Sequence, residues 1–114
     1  MDRHILFLLT PAFFDGTEGP YFCPHSAAME GLLGYVPELA DSIDVRRVGF
    51  ERPRPAIIEL LGSDHQGTPV LVLADGVDIP EEAEVSQETG RAFVSGEIPI
   101  SRYLSRELGI IRPH

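Results

Sequence analysis

The chain has 114 residues, 43% of them hydrophobic and 24% charged, so it can bury one core without disulfide or metal staples. Its formal net charge of -9, from 18 acidic against 9 basic residues, argues against nucleic-acid and anionic-membrane partners, because both need a phosphate-neutralising surface. A single cysteine excludes an intramolecular disulfide, and no apolar run has the length of a signal core or a membrane span, so the expected location is the cytoplasm.

Ile5 to Leu9 is a continuous apolar run stopped by Thr10-Pro11, the pattern of a strand buried on both faces. Pro11 to Phe22 combines Pro, Gly and Asp with Phe13, Phe14, Tyr21 and Phe22, and reads as a loop with an unusual aromatic load. Pro24 suits the first position of a helix, and Met29, Leu32, Leu33 and Val36 then recur at helical spacing until Pro37 ends or restarts the helix. Asp44 to Phe50 reads as a second strand. Pro55 opens a second helix with Ile57, Ile58, Leu60 and Leu61 as its apolar side and Gly62 as terminator.

Val70 to Ala74 is another buried strand. Asp75 to Glu88 holds six acidic residues, none basic, and Pro80, the composition of an exposed loop. Arg91 to Val94 fits a short edge strand, and Pro99 starts a last helix with Ile100, Tyr103, Leu104 and Leu108 inward, capped by Gly109 with Ile110 as apolar partner. The order βαβαββα on one domain, residues 1–114, predicts an α/β (α+β) fold. Alternation in the first half implies parallel pairing through right-handed crossovers and the two consecutive strands near the end an antiparallel hairpin, so its centre would be a four-stranded mixed sheet flanked by helices.

Cys23 stands directly before Pro24, at the N-terminus of the first helix. Free N–H groups and the helix dipole stabilise a thiolate there, and a protonated His25 adds to the effect. The competing interpretation is a small buried hydrophobe, a common fate of free cysteine. Ser26 either caps the helix or donates to the sulfur. Histidines at 4, 25, 65 and 114 show no metal-ligand spacing with the lone thiol, so no metal site is expected. Arg46, Arg47, Arg52 and Arg54 form a local basic cluster, read as a solvated face balanced by Glu51 and the acidic segment in preference to the alternative, an anion site.

The element order, with a thiol after the first strand and Thr68-Pro69 opening the third, resembles the thioredoxin superfamily over nearly the whole chain. That resemblance implies a thioredoxin-like sheet, a cis Thr68-Pro69 bond facing the thiol, and a Thr68 backbone that binds peptide or glutathione. Cys23-Pro24-His25-Ser26 resembles the Cys-Pro-His-Cys of a disulfide-oxidant branch with Ser26 in place of the second thiol, a monothiol pattern. Ile100-Ser101-Arg102-Tyr103-Leu104 and Pro69-Val70-Leu71 are similar to the corresponding helix and strand entry of glutaredoxins and of glutathione transferase N-terminal domains. Where those transferases place an acidic residue and a serine, Gly96-Glu97 stands, and Glu97 suits a ligand amine better than a carboxylate. The whole is similar to a small bacterial family within that superfamily.

The resemblance implies a monothiol redox or glutathione-linked protein with Cys23, His25 and Ser26 catalytic and Thr68, Pro69 and Glu97 at the substrate. It implies no resident cofactor beyond glutathione, and a small thiol or protein disulfide as partner. The rival interpretation is a non-catalytic binding or interaction module that uses the aromatic segment, with a homodimer contact as one such use.

Overall fold

The computed structural model describes all of Met1–His114. Its elements are β1 (Ile5–Leu9), β2 (Phe13–Asp15), β3 (Glu18–Tyr21), α1 (Pro24–Tyr35), α2 (Leu39–Ser42), β4 (Asp44–Val48), α3 (Pro55–Leu61), β5 (Val70–Val72), β6 (Glu84–Val85), β7 (Ala92–Ser95) and α4 (Glu97–Leu108). No helix is long and apolar enough to cross a membrane.

The architecture is mixed α/β around a mixed sheet, with five strands where four were expected, in the order β4-β1-β5-β7-β6. β1 pairs parallel with β4, and all other pairs are antiparallel. Every residue of β1 and β5 is buried. Side chains alternate between two layers, as the strand period requires. Leu6, Leu8, Leu71 and Val94 pack with Met29, Ile100, Tyr103 and Leu104 from α1 and α4. Ile5, Phe7, Val70, Val72 and Phe93 pack with Ile57 and Leu61 of α3 on the other face. Each such fully buried side chain contributes about 1.5–3 kcal/mol relative to exposure.

Proline placement sets the first helix starts as expected: Pro24 and Pro55 occupy the opening turns of α1 and α3. α4 begins earlier than expected, at Glu97, because Gly96 caps it and Pro99 falls in the first turn, where a missing N–H costs no helical bond. Gly109 closes α4 in the left-handed conformation with its N–H on the Ser105 carbonyl.

Three elements differ from the sequence expectation. The aromatic segment is a separate hairpin, β2–β3, rather than a loop. It is held by a Phe13–Tyr21 cross-strand pair and by Phe13 stacking on Phe50 with ring centroids 4.5 Å apart. Gly19 is required there, since a Cβ would lie 2.8 Å from the Phe13 carbonyl oxygen. The acidic segment contributes β6, whose Glu84 and Val85 pair with Phe93 and Ala92, so β7 is flanked on both sides rather than at the edge. β5 runs antiparallel to β1 instead of completing a parallel crossover. After α3 the chain returns to the end of the sheet from which it left, and Arg54 ties that return by donating to the Gln66 carbonyl at 2.8 Å.

At the opposite end of β1, His4 is locked between layers. Its Nδ1 accepts the Ala74 N–H at 2.9 Å, and Nε2 lies 3.4 Å from the Tyr103 hydroxyl. Nδ1 must therefore be bare, which defines the neutral tautomer. Burial pushes the His4 imidazole below its ordinary value, with the Glu107 carboxylate opposing weakly. The unfolded chain thus takes up a proton near 6.5 that the folded chain refuses, and stability falls as pH drops below that value toward the folded one. His4→Asn keeps an acceptor for Ala74 and removes the titration. Denaturant midpoints measured between about pH 7.5 and about pH 5 should fall for the wild type relative to the variant. Parallel curves would show that His4 carries no such linkage.

Candidate functional site

The end of the sheet where β1 finishes and β5 starts gathers the residues singled out in the sequence. Cys23 is the N-cap of α1 in extended conformation, and its partly exposed Sγ accepts the Ser26 backbone N–H at 3.4 Å. A sulfur rather than an oxygen therefore serves one of the free donors of the first turn. The Ser26 side chain is buried and turned inward, where Oγ accepts the Leu9 N–H at 3.1 Å. The serine hydroxyl is thus tied to the last residue of β1, and the contact to sulfur comes from the serine main chain.

His25 is exposed, and its Nδ1 lies 2.9 Å from Glu97 Oε1. The bond joins the first turns of α1 and α4. It holds the Glu97 carboxyl below the usual carboxylate range, helped by the Glu97 backbone N–H. The imidazole makes its hydrogen bond with Glu97 and none with Cys23.

Thr68-Pro69 is one of three cis X-Pro bonds, with Gly19-Pro20 and Arg52-Pro53. Continuing the β1–β5 register sets Pro69 and Thr68 beside Leu8 and Leu9, whose amide holds Ser26. The Pro69 carbonyl accepts the Gly96 N–H at 3.1 Å, which fixes the start of α4 to the same sheet end. Hydrogen bonds thus join Cys23 to Ser26, His25 to Glu97 and Pro69 to the cap of α4, while Thr68 shares this sheet end by register alone.

The basic cluster divides in a way the sequence does not show. Arg46 pairs with Asp44 and Arg47 with Glu30, both on the surface, and neither uses Glu51 or the acidic segment. Arg54 is instead only 7% exposed. Its Nε and Nη2 donate to the Phe50 carbonyl, Nη1 donates to the Gln66 carbonyl, and no carboxylate neutralises it. Burial lowers the guanidinium's value, and the Arg52 charge lowers it further. Sequence reasoning grouped Arg54 with the solvated face and missed its burial. The available signal was an arginine held between Pro53 and Pro55 directly ahead of a helix.

The arrangement presents one partly exposed cysteine at a helix N-terminus. It brings neither a second thiol nor a base to the sulfur. No group of His, Cys, Asp and Glu has the geometry of a metal site.

A family model described as Protein of unknown function (DUF3088) matches residues 3–112, and the chain belongs to that family. No curated protein and no solved structure matches it.

The two serine and histidine contacts differ in worth. Ser26→Ala leaves the buried Leu9 N–H without an acceptor, which costs about 1–3 kcal/mol. His25→Gln breaks an exposed pair and costs less than about 1 kcal/mol. Chemical denaturation of both variants at neutral pH should rank them in that order, and a neutral Ser26→Ala would show that Leu9 finds another partner.

Proposed function

We propose that this DUF3088 member is a thioredoxin-like monothiol protein in which Cys23 exchanges with a small disulfide such as oxidised glutathione. The observation that carries the reading is the position of Cys23 as the N-cap of α1, with its Sγ accepting the Ser26 backbone N–H at 3.4 Å. The free N–H groups and dipole of a helix N-terminus favour an anionic sulfur, the form that attacks disulfides. Support for the thioredoxin-like assignment comes from the parallel β1–β4 pair with antiparallel β5 and β7, and from the cis Thr68-Pro69 bond at the same sheet end as the thiol.

The reaction balances without a further oxidant. The Cys23 thiolate attacks one sulfur of the disulfide, a Cys23–glutathione S–S bond forms, and the original S–S bond breaks to release glutathione thiolate. No second cysteine is present to resolve the adduct, so it persists until an external thiolate attacks it and restores Cys23. Thr68 and Glu97 lie at the same sheet end to contact the incoming group. The carboxylate of Glu97 suits its amine.

Mass spectrometry after treatment with oxidised glutathione should show one adduct on the native chain, none on Cys23→Ser, and release by added thiol. Iodoacetamide labelling of Cys23 should proceed faster in the native chain than in the urea-unfolded one at pH 7, because only folding places the sulfur at a helix N-terminus. Equal or slower labelling of the native chain, with no adduct, removes the redox reading. The fold would then be left to the binding-module interpretation, which the exposed Phe14 and Phe22 of the hairpin region favour.

A further inference from the structure

We propose that the cleft between the β2–β3 hairpin and the segment leading into α3 binds a small organic anion with a flat apolar body, an aryl carboxylate. The cleft has a volume of about 510 Å³ and is lined by Phe13, Phe14, Phe50 and Arg54 among others, while Cys23 is not part of its wall. That volume is in the range of small-molecule sites, which combine apolar walls with a few fixed polar groups.

Two independent features specify the occupant. The first is the wall. Phe13 and Phe50 stack nearly parallel, 5° apart in plane, and Phe14 remains half-exposed beside them. An aromatic ring inserted against these faces and edges gains area burial and favourable quadrupole geometry. The second is the charge. Arg54 is buried, lines the cleft, and has no carboxylate partner anywhere in the chain. Nε, Nη1 and Nη2 all donate to main-chain carbonyls, but each terminal nitrogen carries a further N–H. A guanidinium that lines a cleft with donors to spare is matched by a carboxylate, whose oxygens accept charge-assisted hydrogen bonds. Arg52, two residues away, is likewise without an ion pair and adds positive potential. Glu51 is the one carboxylate in the lining; it is exposed, so solvent screens its repulsion.

The inference goes beyond thiol exchange and does not require it. The probe is 2-naphthoate, followed by its own fluorescence anisotropy in a chain that contains no tryptophan. Saturable one-to-one binding is expected with Kd below about 1 mM. The uncharged 2-naphthalenemethanol should bind at least about tenfold more weakly, the scale of a lost charge-assisted hydrogen bond. Arg54→Gln should weaken naphthoate by a similar factor, and Phe50→Leu should weaken both ligands. Cys23→Ser should bind naphthoate as the wild type does, so failure of the thiol reading and failure of this one are separable. If Arg54→Gln does not fold, the acid and alcohol compared on the wild-type chain still decide the role of charge. Absence of saturation, an alcohol as tight as the acid, a folded Arg54→Gln with unchanged affinity, or loss of binding in Cys23→Ser would each overturn the proposal.

Discussion

Burial of β1 on both faces is the constraint from which the rest of the molecule follows. Five consecutive apolar residues with almost no exposed surface require a layer above and a layer below, and α1 with α4 supply one while α3 supplies the other. The same burial makes the polar ends of the strand expensive, since an unpaired amide in that setting costs as much as a lost hydrogen bond. At one end the Leu9 N–H is met by the Ser26 hydroxyl, which fixes α1 against the sheet and thereby fixes Cys23. At the other, His4 and Ala74 satisfy each other. Site geometry and core packing are therefore one problem, solved at the last residue of one strand.

Local charge does not follow the formal net charge of -9. Acidic residues concentrate on the surface and in the segment around β6, where Arg106 and Arg91 pair with Glu82 and Asp75. In the segment leading into α3 the pattern differs, because Arg54 is buried without a carboxylate and Arg52, two residues away, has no ion pair. Main-chain carbonyls of Phe50 and Gln66 solvate the guanidinium without cancelling its charge. This is what distinguishes Arg54 from Arg46 and Arg47, whose exposed ion pairs are screened and contribute little. Local sign is set by which side chains are removed from water, and net composition does not report it.

The sequence displayed the elements whose signals are local. β1 and β5 are uninterrupted apolar runs, α1 and α3 open on prolines, and Gly109 ends α4 in the only conformation that favours glycine. Cys23, His25, Ser26, Thr68, Pro69 and Glu97 come to one end of the sheet because those starts and stops all occur there. The hairpin was hidden because β2 and β3 are three and four residues long and carry Gly, Pro and Asp, which locally read as breakers. Its stability comes from a non-local stack of Phe13 on Phe50. Arg54 was hidden for the same reason, since its burial depends on a loop that returns twelve residues later through Gln66. The antiparallel course of β5 follows from that return and could not be read from alternation alone.

Ser26 connects the monothiol pattern to this architecture. In a two-thiol exchange protein the residue three positions after the nucleophile resolves the mixed disulfide, and it must reach the first sulfur to do so. Here that side chain is buried and committed to the Leu9 amide, so its oxygen stabilises the sheet end rather than the reaction. A thiol in its place would be a larger and much weaker acceptor, leaving the strand's last amide poorly satisfied. Resolving chemistry and the β1–α1 tie thus compete for one position, and the hydroxyl favours the tie. Any turnover at Cys23 has to draw its second thiol from outside the chain, through the half-open side of the site that the sulfur already faces.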